Sequence, residues 1–468
     1  MINLPLALIT LIVLCFAQDV PERVANQHKR ETSEFVQLNV DMINNEPIAK
    51  FLVGSELDPV SVIVDTGSSD FWVPSKLNTN CAPNDFKTNT SLDFQIETWG
   101  HMRNTYYINC SIYGTFDPTL STSVDYNNSD FSVVYSSFQY AYGSYLQEIV
   151  INEEQNLGML NLAVANTSSE GVGILGIGAL EMEYTALKQN YTYANFPFQL
   201  VNNGKVGRAS YSIYLNETKG EILFGAVDHS KYTGTLLTFP MIDLSEFETY
   251  KIGAITMNSL GIEEEGKNKK LFSGFVPVLI DSGSSQLQFP QKMMNAFIDE
   301  LNLQKVSSNI FITNCNNLKA KKLTFEFHGS LFGVPLSDNF VKTSGNQCAL
   351  NISFTSNNYI VLGNNFMKQY YTIFDWEDRS ISIAKATNST QSNIDSLDEP
   401  LLAKSPPLDR TYGGSHTTFV QVMPSPTFTA LTSSSVMSIT TTSLSAYGTK
   451  RTTYSFCYTL LSLLIFFE

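Results

Sequence analysis

The sequence predicts a mainly β protein folded as two lobes around a central cleft. Three observations carry this expectation. Short runs rich in Val, Ile, Phe, Tyr and Thr recur through residues 33–385, separated by Gly, Asn, Asp and Pro turns. Charged residues are sparse at 16% while aromatics reach 12%, a balance that leans away from helix. One device also occurs twice, once in each half: an aspartate between an apolar triplet and a Gly-Ser turn. It reads Val62-Ile63-Val64-Asp65-Thr66-Gly67-Ser68 first, and Val278-Leu279-Ile280-Asp281-Ser282-Gly283-Ser284 later.

The clearest strand runs are Ser61–Val64, Phe131–Tyr135, Leu162–Ala165, Ser212–Leu215, Glu221–Phe224, Tyr359–Leu362 and Ile381–Ala384. Helical spacing is confined to short pieces. From Gln291 to Leu301, residues Met294, Phe297, Ile298 and Leu301 fall on one helical face. At 468 residues the chain exceeds one small core, so two or three domains, or one large bilobed body plus tails, are expected. The expected divisions are a first lobe over 31–215 and a second over 216–385. Residues 76–113, polar and Asn-rich, read as a cysteine-bounded loop insertion.

Both ends depart from this pattern. Leu4 to Phe16 is apolar, and Cys15-Phe16-Ala17 offers small residues for cleavage, so 1–17 reads as a secretory signal. About 13 apolar residues are too few to span a bilayer core. Residues 18–30 end in Lys29-Arg30, the mark of a short propeptide. Residues 386–448 include a Ser/Thr-dominated stretch that reads as a solvated stalk. The tail, 449–468, is short and apolar at its end. With the small residues and polar spacer before it, it reads as a glycosylphosphatidylinositol (GPI) signal, with a short single-pass anchor as the alternative.

Four of the six cysteines lie outside these end segments: Cys81, Cys110, Cys315 and Cys348. Three pairings are possible. Cys81 with Cys110 and Cys315 with Cys348 is favoured, because each bridge then closes a loop within one lobe. Sequons at Asn89, Asn109, Asn127, Asn166, Asn190, Asn216, Asn351 and Asn388 point to the same oxidising, glycosylating route. The formal net charge of −15 leaves no basic field for phosphates and excludes nucleic acid as a partner. No HExxH, CxxC, GxSxG or P-loop motif occurs. No cofactor or metal is expected.

Chemistry therefore falls to Asp65 and Asp281. Gly67 and Gly283 permit close approach in the turns, and Ser68 and Ser284 offer hydroxyls to hold the carboxylates. If the lobes bring the two acids together, both cannot ionise cheaply, and the pair shares a proton. One carboxylate then takes a proton from water while the other protonates an amide oxygen. A single such turn is usually structural; two in matched settings are not.

These turns resemble those of pepsin-type aspartic endopeptidases, and more narrowly of the GPI-anchored fungal yapsins. Gly173-Ile174-Leu175-Gly176-Ile177-Gly178 and Val361-Leu362-Gly363-Asn364-Asn365-Phe366 resemble the family's apolar-apolar-Gly elements. Tyr371 to Asp375 and Ile222 to Asp228 are also similar to it. The resemblance spans roughly residues 35–385. It implies the pepsin-like fold, a peptide held in the cleft, and a flap whose tyrosine is Tyr135, with Trp72 as its hydrogen-bond partner. Tyr142-Gly143 is a second candidate for the flap. Where the family has Tyr-Gly-Asp-Gly, this chain has Tyr135-Ser136-Ser137-Phe138, which reshapes the tip and removes one acid that could hold a basic substrate residue. Asn364 stands where Asp is common, away from the expected pair. The expectation is a monomeric, GPI-anchored surface endopeptidase acting on proteins or proproteins, with basic residues as one possible cleavage site. The alternative is a non-catalytic surface glycoprotein of the same fold that binds peptides or wall components.

Overall fold

In the computed structural model, residues 35–82, 107–136, 138–153, 155–242, 253–307 and 310–400 are described. The signal, Lys29-Arg30, sequon Asn89, the tail and most of the stalk lie outside them.

Strand runs separated by turns fold as the alternation dictates. The first half supplies β1 (Val36–Ile43), β2 (Glu46–Val53), β3 (Asp58–Asp65), β4 (Phe71–Pro74), β5 (Asp125–Val134), β6 (Tyr140–Asn152), β7 (Gln155–Ser168) and β8 (Gly173–Gly176). The middle supplies β9 (Ser210–Leu215), β10 (Lys219–Phe224), β11 (Ala226–Asp228) and β12 (Tyr232–Pro240). The second half adds β13 (Ile255–Glu264), β14 (Lys267–Ile280), β15 (Leu287–Pro290), β16 (Gln304–Lys305), β17 (Phe311–Asn314), β18 (Lys321–Phe327), β19 (Ser330–Pro335), β20 (Phe340–Lys342) and β21 (Gln347–Leu350). It closes with β22 (Ile352–Thr355), β23 (Ile360–Leu362), β24 (Tyr370–Asp375), β25 (Ser380–Ala386) and β26 (Ile394–Ser396). The helical face from Gln291 forms as a 3-10 turn over Gln291–Met293 and an α-helix over Met294–Glu300, burying Met293 and Phe297.

One long sheet runs β12-β25-β24-β9-β10-β1-β2-β3-β8-β4-β7-β6-β5, and a second runs β19-β18-β13-β14-β23-β15-β22. Its stretch from β12 to β1 draws strands from both ends of the chain and from the middle, so the two lobes share a floor. The 215/216 division falls in the turn between β9 and β10, which pair as a hairpin of that floor.

The two halves repeat one topology. In the first, β3 pairs parallel with β8, β8 antiparallel with β4, and β4 parallel with β7. In the second, β14 pairs parallel with β23, β23 antiparallel with β15, and β15 parallel with β22. These strands, walled on both faces, read as continuous apolar runs: β4 and β8 are buried at every position. Disulfides join Cys81 to Cys110 and Cys315 to Cys348, one to each half.

Residues 387–400 correct the expectation of a solvated stalk from 386. They form a strap in which β26 pairs antiparallel with β11. Leu397 is buried among Tyr214, Val227 and Tyr371. The Asn393 N–H donates to Asp228 Oδ1 at 2.9 Å, and Lys231 Nζ donates to the carbonyls of Ser389 and Gln391. The strap adheres mainly through backbone groups, which composition does not reveal. Of the described sequons, Asn127, Asn166, Asn190 and Asn388 are exposed, and Asn109, Asn216 and Asn351 are half-buried.

Candidate active site

Each aspartate sits where its parallel pair ends. Asp65 is the last residue of β3, and Asp281 follows β14 directly. The chain turns sharply after each, so the carboxylate faces the seam between lobes. Within each turn the carboxylate is held by its own backbone and hydroxyl. Gly67 N–H donates to Asp65 Oδ1 at 2.8 Å, and Ser68 Oγ to Oδ2 at 2.5 Å. Gly283 N–H donates to Asp281 Oδ1 at 2.9 Å, and Ser284 Oγ to Oδ2 at 2.8 Å.

The turns also interlock. Thr66 Oγ1 donates to the Ile280 carbonyl at 2.8 Å and accepts from Ser282 N–H at 2.9 Å. In mirror fashion, Ser282 Oγ donates to the Val64 carbonyl at 2.6 Å and accepts from Thr66 N–H at 3.1 Å. All four bonds are buried, so each turn supplies partners that the other would otherwise lack.

This exchange brings the acids together. A Cβ on Gly67 would stand 2.7 Å from the Asp281 carboxyl carbon, and one on Gly283 would stand 2.3 Å from Asp65 Oδ1. Only glycine leaves room for the opposing carboxyl. The Asp281 carboxyl is pushed well above the usual carboxylate range, first by burial, then by the charge of Asp65 and a hydrogen bond to it. Bonds from Ser284 and Gly283 oppose the rise without cancelling it. The pair therefore retains a proton between its two carboxyl groups.

The Eukaryotic aspartyl protease family matches residues 48–386. Aspartic proteinase 3 of Saccharomyces cerevisiae is 32% identical over 78% of this chain and 74% of its own length. Aspartic proteinase yapsin-3 of the same yeast is 30% identical over 77% of this chain and 70% of its own. Candidapepsin of Candida tropicalis is 29% identical over 76% and 83%. The chain is a eukaryotic aspartyl protease. It is an aspartic endopeptidase of the pepsin type, with the yeast yapsins among its relatives.

In this protease the hairpin β5–β6 carries Tyr135 at its tip. Trp72 Nε1 donates to Tyr135 Oη at 2.8 Å, and Ser68 also hydrogen-bonds that hydroxyl. Burial, then the nearby Asp65 charge, pushes the Tyr135 hydroxyl far up, so it stays neutral. Tyr142, the second flap candidate, lies inside β6 instead, exposed and stacked on Tyr140 at 5.3 Å between ring centroids. The loss of both family glycines leaves the Tyr135–Trp72 bond intact. The turn still closes, because Phe138 takes a left-handed backbone with φ 65°.

Sequence reasoning missed several members. Thr66 and Ser282 were legible, since a hydroxyl residue follows each aspartate. Asn364 does not lie away from the site. Its Nδ2 donates to the carbonyls of Ser282 (2.7 Å) and Asn45 (2.8 Å), while Asn45 Nδ2 donates to the Ser285 carbonyl and to Asn365 Oδ1. These bonds tie the β1–β2 turn to the second aspartate's turn. Asp70, buried, accepts from the hydroxyls of Tyr145 (2.6 Å) and Tyr193 (2.8 Å) and from Tyr184 N–H (2.8 Å). Glu46 opens β2 half-buried, and its carboxyl is raised to about 7 by burial and then by the Asp65 charge. Nothing in the local sequence sets either acid apart.

Proposed function

We propose that Asp65 and Asp281 are the catalytic pair of this endopeptidase. The observation carrying this reading is their hydrogen bond across the seam, with Asp281 holding its carboxyl proton far above the ordinary range. A water between them loses a proton to the carboxylate as it attacks the scissile carbonyl, while the protonated partner gives its proton to the carbonyl oxygen. The resulting tetrahedral gem-diol needs no covalent enzyme intermediate. Gly67, Gly283, Ser68 and Ser284 hold the acids in place. Tyr135, anchored on Trp72, covers the peptide.

Substrates are proteins or proproteins met along the secretory route or at the cell surface. The apolar N-terminus, the sequons and the disulfides support that route. The end of the chain supports a GPI anchor, and Lys29-Arg30 supports removal of a short propeptide. The protease acts as a monomer. The flap lacks the family's acid; Glu46, within electrostatic reach of Asp65 and raised to about 7, offers a negative group to a Lys or Arg of the substrate only toward neutral pH.

The test replaces Asp65 with Asn and follows peptide cleavage from pH 3 to pH 7. Loss of turnover throughout is expected; unchanged turnover would end the mechanism.

A further inference from the structure

Each aspartate is held by a serine hydroxyl, and a hydroxyl has one proton to give. Ser68 Oγ gives its proton to Asp65 Oδ2, and Ser284 Oγ gives its proton to Asp281 Oδ2. A hydroxyl can rotate, so the proton stays on the carboxylate when a second group donates to the same oxygen. In the first lobe that group is the Tyr135 hydroxyl. It accepts from Trp72 Nε1 at 2.8 Å and hydrogen-bonds Ser68, whose own proton is committed to Asp65.

The second lobe reaches the same arrangement with an amide. Gln288 Nε2 donates to Ser284 Oγ at 3.2 Å. The nitrogen of an amide side chain donates and does not accept, so the Ser284 proton is left for Asp281. The strand holds this amide in place. Gln288 lies in β15 between buried Leu287 and Phe289, and the alternation of the strand turns it to the opposite face. Its backbone is paired on both sides, with Ser353 of β22 and with Val361 of β23. The matching strand β4 is Phe71-Trp72-Val73-Pro74, so an amide at this place in the frame is particular to the second lobe. A half-buried amide costs stability unless it is bonded, and Ser284 Oγ supplies the bond.

We propose that Gln288 is a positioning residue of the catalytic pair, fixing the Ser284 hydroxyl as a donor to Asp281 as Tyr135 fixes Ser68 as a donor to Asp65. The inference rests on the catalytic reading above. Its consequence is a pH limit. The Ser284 bond opposes the burial and the Asp65 charge that raise the Asp281 carboxyl. Turnover needs the shared proton, so activity fails on the alkaline side as the pair loses it. A firm Ser284 bond brings that failure to lower pH and confines the enzyme to acid surroundings. The other titratable groups around the pair are Asp65 itself, Glu46, whose carboxyl interacts with Asp65, and the hydroxyls of Tyr135 and Tyr211, which stay neutral. Glu46 titrates in wild type and variants alike, so it drops out of the difference.

The experiment uses the mature protease and one peptide, with kcat/KM followed from about pH 3 to about pH 8. The variants are Gln288→Met, of similar length but without a donor, Ser284→Ala, and the two combined. Gln288→Met should move the alkaline midpoint up by about 0.5 pH unit, the size of a weakened hydrogen bond. Ser284→Ala should move it up at least as far, and adding Gln288→Met to Ser284→Ala should move it no further. Where Ser284→Ala turns over too slowly, the same midpoint is read from the pH dependence of binding of a peptide inhibitor with a central hydroxyl. A thermal midpoint followed in parallel checks that each variant is folded. An alkaline midpoint that stays put or falls in Gln288→Met would overturn the role of Gln288. So would a shift of equal size with Ser284 already removed. Undiminished cleavage by Asp65→Asn would instead sink the catalytic reading, and the inference with it.

Discussion

The two aspartate turns are built alike, but their surroundings differ. Both hold the carboxylate with a glycine N–H and a serine hydroxyl, and both lend a hydroxyl to the other lobe. Beyond that, matching positions diverge. Trp72 on β4 corresponds to Gln288 on β15. Trp72 reaches up to the flap tyrosine, while Gln288 Nε2 turns inward to Ser284 Oγ at 3.2 Å. Asp70 corresponds to Gln286, and only the former is a buried acid under tyrosine hydroxyls. In the proposed mechanism the shared part does the bond-breaking, and the unshared part governs access from the first lobe. A duplicated frame can thus stay symmetric where protons move and lose symmetry where substrate is covered.

Breaking the symmetric core should have the largest effect. Asp281→Asn, like Asp65→Asn, should lower kcat by about a thousandfold or more, read by peptide hydrolysis at the acid optimum. If one variant kept near-normal turnover, the acids would not work as a pair. Next come Thr66→Val and Ser282→Ala. Each removes two buried cross-lobe bonds and should cost about 2 kcal/mol, seen as a lowered thermal midpoint. The symmetry argument requires the two losses to agree closely; a large inequality would show that one lobe carries the seam.

The asymmetric part should respond less. Trp72→Phe removes one of the two hydrogen bonds on the Tyr135 hydroxyl, leaving that to Ser68, and should lower kcat/KM by about tenfold, as the loss of one buried hydrogen bond implies. Gln288→Leu should change it by about threefold at most. Equal effects would mean that the flap bond is dispensable.

The smallest effect concerns pH. Glu183 is buried, and burial raises its carboxyl from 4.5 to about 8, with the Asp70 charge adding to the rise. Its folded pKa lies above its unfolded value. The stabilising contribution is therefore whole below pH 4.5 and drains away as pH climbs toward about 8. Glu183→Gln should shrink the fall in thermal midpoint between pH 5 and pH 8. An unaltered slope would assign the alkaline sensitivity to other groups.

Much of this architecture was legible in the residues. The strand runs announced a β protein, and the repeated Asp turns announced both the duplication and its chemistry. The local disulfide pairing followed from loop closure. What escaped notice depends on distance in the chain. Glu46 looks like any surface glutamate until the fold brings it near Asp65. Asn364 draws its meaning from carbonyls at Ser282 and Asn45. The strap over 387–400 has few apolar residues, since backbone pairing to β11 and the Asp228 and Lys231 side chains hold it. Sequence shows periodicity and local turn chemistry well, and long-range hydrogen bonds poorly.

The reciprocal loan of hydroxyls at the seam has a consequence for safety. Neither half owns a complete set of bonds for its own turn, so a prematurely released or clipped fragment carries an aspartate without its counterpart or its brace. Under the proposed mechanism such a piece lacks the second carboxyl needed to activate water. An enzyme able to digest its neighbours thus becomes dangerous only once the entire body has assembled.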